Sequence, residues 1–555
     1  MRTIRRLYFY LVTLISLEVV IWGLVNLLRT TVDLLPGQGD TDLLSNGLSL
    51  VLVGLPIGLL HWHFAQRDAL KDEDERATRI RALFFYALRA ALLVPVVQSL
   101  LAIFSRLLLD LLGLNPASAL VGAGQTAIDN LIAIAINLAA FAYVERRLQD
   151  DWQADTPENH LAEVRRLYRT LWVLYTLGLT IFGTANILRY ILTMPQGSHN
   201  LLATSMLNGL ALVLVGAPLW VLTWLTLTRS LSEPAEKVSL LRTVLLYLLT
   251  LIPAVTGLIA TGVLVSGLGR WVLGQYFTLS TFLGEYAAPL AWLVPMLSLW
   301  IYHAGHLQRH WSVFSDELRR AALSRLYTYI LALLGNAATF AGLYFLLSAL
   351  TDLTFGKMTL GYVTLRATLG NALGLLAVGL PVWILAWRWA QHAVTPLSDL
   401  GDHERRSLVR KIYLYLILFA CVVGGMFAAG ILFNRLLNAA LGNPMPNFSL
   451  ESTRQGLLVL LIALWLAYHL RTLRRDGRVA LDGDEDRAAG GLGRDGDGGE
   501  PPEGGCLPGL RPAQIGNFPF HPDKTESFLQ NIFNVIVELR YCQYFLHSLR
   551  PRAVK

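Results

Sequence analysis

The sequence predicts an all-α, polytopic transmembrane protein of about twelve spans, arranged as three parallel four-helix repeats. Three observations carry that prediction. The 555 residues are 54% hydrophobic and only 15% charged, with a mean hydropathy of +0.48, where soluble chains carry roughly 25% charged residues. A polar-to-proline cadence returns three times, as SNGLSLVLVGLP at 45–56, LNGLALVLVGAP at 207–218 and GNALGLLAVGLP at 370–381. Successive loops alternate between rich and poor in lysine and arginine.

A hydrocarbon core about 30 Å thick is crossed by about 20 apolar helical residues. Segments of that kind fall at 7–32, 44–65, 83–112 and 126–145, then at 167–191, 203–227, 243–268 and 285–306, and finally at 327–350, 367–390, 412–440 and 455–470. The first has basic residues before an apolar run, as a secretory leader would. The run is too long and has no small-residue cleavage site, so it reads as a retained span.

The amino terminus and the loops after the even-numbered spans hold 23 Lys and Arg. The opposite loops hold few, Arg270, Lys357 and Arg366 among them. That asymmetry predicts a cell-membrane protein with both termini in the cytoplasm. Four crossings return the chain to its starting side, so the copies must run parallel, unlike inverted-repeat transporters. The unit boundaries read as 1–150, 151–318 and 319–475.

Residues 476–505 are rich in Gly and Asp and read as a disordered linker. In 506–555, Asp523 with Glu526 marks a helix start, and Phe528, Ile532, Phe533, Ile536 and Leu539 share helical spacing. This predicts an interfacial or docking amphipathic helix, not a thirteenth span, because Glu538 and Arg540 interrupt it.

The net charge of +7 is scattered between apolar segments instead of forming a stripe, so no nucleic-acid partner is predicted. The predicted surroundings are a lipid bilayer. Three cysteines, Cys421, Cys506 and Cys542, give neither a disulfide framework nor a paired-cysteine zinc signature. The motifs GxxxxGK[ST], GxSxG and HExxH and the Rossmann glycine triplet are absent, so no catalytic residue or cofactor is assigned.

RRLY at 5–8 and 165–168, SRLY at 324–327, NLLR at 26–29 and NILR at 186–189 extend the repeat beyond the proline cadence. Together with NGLSLVLVGLP these motifs resemble an uncharacterised bacterial multi-pass membrane family, defined as a four-span domain of unknown function. The resemblance covers roughly residues 4–474 and implies membrane residence and tandem four-helix domains. It brings no substrate and no catalytic residue.

Several residues invite chemistry. Pro56, Pro218 and Pro381, each two residues after a glycine, lie in mid-span as candidate helix kinks that either line a cavity or fix a bend for close packing. Asn46, Asn208 and Asn371, ten residues earlier, are candidates for interhelical hydrogen bonds. Glu18 lies near mid-membrane, where an ionised carboxylate costs several kcal/mol. The corresponding positions are Gly178 and Ala337, so Glu18 is not a product of the repeat. Arg89 is its candidate partner, as a proton or cation relay or as a buried ion pair.

Arg29, Arg106, Arg189, Arg270 and Arg435 recur near the far ends of helices, as an anion-attracting mouth or as snorkelling side chains. His303, His306 and His310 share one face, with His61 and His63 at similar depth. They read as an interfacial belt with Trp62, Trp300 and Trp311, and no metal site is assigned. The functional expectation is a small-solute or proton-coupled conduit. A membrane scaffold or sensor with a cytoplasmic tail and a protein partner is the alternative, and a membrane-embedded enzyme ranks third.

Overall fold

The computed structural model describes residues 2–34, 41–71, 78–153, 160–196, 200–237, 239–275, 278–311, 317–355, 362–394 and 404–492. Twelve long helices account for nearly all of them. The first four are α1 (Arg2–Leu34), α2 (Thr41–Lys71), α3 (Arg79–Leu111) and α4 (Ala127–Gln153). The next four are α5 (His160–Thr193), α6 (Asn200–Arg229), α7 (Leu240–Val272) and α8 (Leu279–Trp311). The last four are α9 (Glu317–Thr354), α10 (Tyr362–Val394), α11 (Leu408–Ala440) and α12 (Phe448–Leu492). All twelve are long and apolar enough to cross a membrane, and no strand occurs among the described residues. The protein is an integral membrane protein, all-α, with three four-helix repeats.

The closest pairing inside each repeat is between its first two helices. In lipid, helices gain nothing by hiding apolar surface from one another, so association rests on close packing at small residues. The Gly-x-Pro motif supplies that packing. A Cβ added at Gly54 would meet Val19 and Val20 at 3.0 Å. At Gly216 it would meet Leu179 Cβ at 2.8 Å, and at Gly379 Ala338 Cβ at 2.6 Å. These are the same positions of the first helix in all three repeats.

The first helix returns the contact. Gly23 would strike Val51 at 2.9 Å, Gly183 Val213 at 2.8 Å and Gly342 Leu376 at 2.8 Å. Each pair therefore crosses through two reciprocal glycine notches. Pro56, Pro218 and Pro381 lie inside unbroken helices, each beside one of these notches.

The chain forms two compact units, residues 1–260 with 277–300, and 261–276 with 301–555, so the division falls inside the second repeat. In the first unit α3 of repeat one packs on α6 of repeat two, through Val97 and Leu101 against Leu212 and Val215. Ser105 Oγ donates to Asn208 Oδ1, which also accepts from the Leu120 amide at 3.2 Å, while Asn208 Nδ2 donates to the Ser118 carbonyl at 3.0 Å.

In the second unit the last part of α7 packs on α10. Ser266 Oγ and Arg270 Nη2 donate to Asn371 Oδ1 at 2.9 and 2.8 Å. A Cβ on Gly374 would collide with the Gly262 carbonyl oxygen. This joint explains why the second half of α7 groups with the third repeat and not with its own.

The carboxyl end carries the last helix beyond the third repeat. The chain does not leave helical structure at 475, because α12 continues to Leu492, well into the stretch read as a disordered linker. Asp476 is held there by the buried Arg410, whose Nε donates to it at 2.7 Å. The remainder of 476–505 and the helix expected in 506–555 lie outside the described residues.

Overpacking a helix notch typically costs about 1–3 kcal/mol. Gly216→Val is therefore expected to lower thermal stability of the detergent-solubilised protein by that order. Gly178→Ala, where a Cβ meets nothing within 4 Å, is expected to leave it unchanged or slightly raised, since alanine is the better helix former. Equal melting temperatures for the two variants would remove the notch argument.

Candidate functional site

Polar groups inside these helices fall into two sets, one repeated and one not. Trp62 donates to the Tyr143 hydroxyl at 3.2 Å, and Trp387 donates to that of Tyr468 at 2.6 Å, in matching places of repeats one and three. Arg81 is buried and bidentate on Asp151, at 2.6 and 3.1 Å, with further bonds to the Tyr10 hydroxyl and Gln66. Arg410 repeats that arrangement with Asp476 and the Tyr329 hydroxyl. A cation so enclosed needs its carboxylate and its remaining donors satisfied. These fixtures recur because each bundle end needs closing, so they point to structure.

The histidines divide similarly. His303 and His469 occupy matching, fully buried positions of α8 and α12. His469 bonds the Trp465 carbonyl at 2.9 Å and Asn336 at 3.3 Å. His306 is half-buried beside Tyr302, and the side chain of His310 lies outside the described residues. His61 bonds the Ile57 carbonyl and reaches the Tyr8 hydroxyl. No group of three His, Cys, Asp or Glu that could hold a metal is found among the described residues.

The second set is confined to repeat one. Arg89 pairs with Glu145 at 3.0 Å, and its guanidinium carbon lies 5.0 to 5.5 Å from the ring centres of Tyr86, Phe141 and Tyr168. The expected Arg89–Glu18 pair is therefore replaced by Arg89–Glu145. The guanidinium turns to the α4 carboxylate and the aromatic faces around it, which attract a cation. The matching positions of Arg89 are Thr250 and Leu418, and those of Glu145 are Ala304 and Leu470. Glu18 keeps one oxygen, Oε1, buried with no hydrogen-bond partner among the described residues, and Trp22 follows one turn on along α1.

Trp22 also lines a cavity of about 110 Å³ in the half of repeat one away from the amino terminus, between α1, α3 and α4. The start of α4 sets the geometry. The Thr126 amide and hydroxyl donate to Asp129 Oδ2 at 2.7 and 2.8 Å, and the Asp129 amide returns a bond to Thr126 Oγ1 at 3.2 Å. This reciprocal cap satisfies otherwise unpaired amides and fixes the helix start. Asn130, Ala133 and Asn137 then follow at helical spacing along the cavity wall.

Arg29 reaches the cavity from α1, its Nε donating to the Asp129 carbonyl at 3.0 Å. Gln98 and Ser99 reach it from α3. Asn137 is 2% exposed, and its Nδ2 donates to the Ala133 carbonyl at 2.8 Å. Its Oδ1 is buried without any partner. A buried carbonyl oxygen left unpaired costs about 1–3 kcal/mol. A solute that donates to it would recover that cost.

The matching positions of Asn137 are Met296 and Ile462, both buried, and those of Gln98 are Ile259 and Phe427. The positions of Asn137 and Gln98 are thus polar in repeat one alone. The other recurring arginines serve local ends. Arg106 donates to the Ala123 carbonyl at 3.0 Å, and Arg270 to Asn371. On the same side Arg454 pairs with Asp352 and Glu451.

A family model described as Domain of unknown function (DUF5671) matches residues 6–143, 166–298 and 325–475. That description states no activity. No curated protein and no solved structure matches this chain.

Removing one partner of a buried ion pair costs about 3–5 kcal/mol, because the other charge stays behind. Asp151→Ala is expected to destabilise the solubilised protein by that order. Asp150→Ala, at a carboxylate whose only ion pair among the described residues is a long, exposed contact with Arg147, is expected to change stability by less than about 0.5 kcal/mol. Unfolding curves in detergent decide between them.

Proposed function

The chain belongs to that family, present here as three tandem copies, and from this premise we propose that it handles a small solute, with the binding site in repeat one and the other repeats as its packed frame. The observation that carries this is Asn137 Oδ1, buried and unpaired on the wall of a cavity that Arg29, Gln98 and Asn130 also line, at a position that Met296 and Ile462 hold in the other repeats. Arg29 places a guanidinium at the same cavity, so the fitting solute has a negatively charged end and a hydrogen-bond donor. A volume of about 110 Å³ suits a few heavy atoms, such as a small monocarboxylate.

The bias of Lys and Arg toward the loops after even-numbered spans supports a cell-membrane orientation with both termini in the cytoplasm. The cavity then opens toward the extracytoplasmic side. Glu18, one helical turn along α1 from the cavity-lining Trp22, is the group that would couple solute entry to a proton.

The test is uptake of radiolabelled formate and acetate by proteoliposomes containing the full-length protein. Asn137→Leu and Arg29→Gln are each expected to lower uptake roughly tenfold, the effect of about 1.4 kcal/mol at one contact. Asn137→Cys is expected to react with a membrane-impermeant thiol reagent from the extracytoplasmic side. Uptake indifferent to both substitutions would discard the site.

One observation favours a sensor reading beside this one. At about 1.5 Å per residue, the 45 residues of α12 exceed the thickness of a bilayer about twofold, so its end projects beyond the lipid. A sensor predicts that deleting residues 479–555 abolishes the cellular phenotype while insertion persists. The cut falls after Asp476 so that the bond to Arg410 is kept. A phenotype that survives the deletion leaves solute handling as the function.

A further inference from the structure

The two joints between successive repeats use the same positions. Each takes a polar donor from the third helix of one repeat, Ser105 or Ser266, and the asparagine from the second helix of the next, Asn208 or Asn371. A chain of three repeats makes two such joints and leaves two mating faces over. These are the second helix of repeat one, α2, and the third helix of repeat three, α11.

Both faces are open. In the most apolar stretch of α2 only 11% of residues are buried, against 33% and 28% in its counterparts α6 and α10. The figure is 17% for α11, against 44% and 28% for α3 and α7. The opening follows the joint residue by residue. Leu207, Asn208, Ala211 and Val215 of α6 are buried, whereas the matching Ser45, Asn46, Ser49 and Val53 of α2 are exposed. On α11 the place of Ser105 and Ser266 is taken by Asn434, which is exposed. Gly262, which α10 touches, corresponds to Gly430, where a Cβ would meet nothing within 4 Å.

We propose that these two faces bind each other between copies of this chain, α11 of one copy seating on α2 of the next. The occupant of each face is a second copy, because the interaction continues one that the chain already makes twice internally. The polar chemistry matches. Asn46 makes no hydrogen bond among the described residues, and its Oδ1 is the acceptor that Asn208 and Asn371 use in the internal joints. Asn434 Oδ1 is occupied by Asn438 at 3.0 Å, which leaves Asn434 Nδ2 as the donor that the serine hydroxyl supplies elsewhere. The steric chemistry matches as well. Gly430 would face Ser49 as Gly262 faces Gly374, keeping small residues where the backbones come closest.

Because the two faces differ, the contact is head-to-tail. It joins each copy to two others in the membrane plane and closes as a ring if the rotation permits.

The experiment uses the full chain in native membranes with Cys421, Cys506 and Cys542 replaced by serine. Asn46→Cys carrying one tag and Asn434→Cys carrying another are co-expressed and oxidised. Ser105→Cys with Asn208→Cys in one chain calibrates the closure of an internal joint. The expected result is a disulfide dimer containing both tags, in a yield comparable to that closure, with each single-cysteine chain monomeric when expressed alone. Three results would overturn the proposal. One is no mixed dimer while the internal joint closes. Another is same-tag dimers in equal yield, which would mark random collision. The third is a double Asn46→Cys, Asn434→Cys chain that closes on itself as a monomer.

Discussion

Lipid withdraws the usual reason for helices to cluster, and the close approach at paired glycines replaces it. An apolar side chain is as comfortable against an acyl chain as against another helix, so only contacts that lipid cannot imitate hold two spans together. The reciprocal notches Gly23 with Gly54, Gly183 with Gly216 and Gly342 with Gly379 are such contacts. They bring backbones to distances that leave no room for a Cβ. In repeats one and three the third and fourth helices pack on each other and on the first. The proline two residues after each second-helix glycine sits inside an unbroken helix, which suits a fixed element of packing better than a moving hinge.

Given that frame, polar groups acquire meaning from whether they recur. Arg81 with Asp151 and Tyr10, and Arg410 with Asp476 and Tyr329, solve one problem twice: closing a bundle end around a buried cation. A polar group found in one repeat alone, where the others pack without it, is not there to solve a packing problem. Asn137 is such a group, since Met296 and Ile462 fill the same space with no desolvation cost. Glu18, Arg89 and Glu145 share this singularity, which concentrates unrepeated chemistry in the first four helices.

The spans were legible because a one-dimensional signal sufficed, the length of each apolar run. The repeat was legible through its second helix, where asparagine and proline sit ten residues apart in every copy with a glycine two before the proline. Glu18 stood out for a similar reason, since depth in a span follows from counting residues at about 1.5 Å each. Direction around the helix does not follow so simply. Arg89, in the third span, turns to Glu145 and three aromatic rings instead of to Glu18. Asn137 was missed because it lies in the fourth helix, where repeat similarity is weakest. Aligning YVERRLQDDW at 143–152 with YHAGHLQRHW at 302–311 sets it against Met296 and is the signal that would have found it. The continuation of α12 was hidden by its glycines and aspartates, which argue against helix locally but cannot reveal that Arg410 holds Asp476.

A tandem array in water must cap its two ends with polar surface, because each terminal repeat would otherwise expose the face that its neighbours bury. In a bilayer the apolar part of such a face needs no cap, since lipid covers it at little cost. What lipid cannot cover are hydrogen-bonding groups, and the joint between these repeats is built on one asparagine with its donor. Asn46 and Asn434 therefore matter out of proportion to their size. The exposed leucines and valines around them are at ease in lipid, while the two amides carry the information about what should lie against them. A protein that repeats a directional joint in a membrane thus keeps its ends specific through a few polar atoms, even where most of the surrounding surface is indifferent to its neighbour.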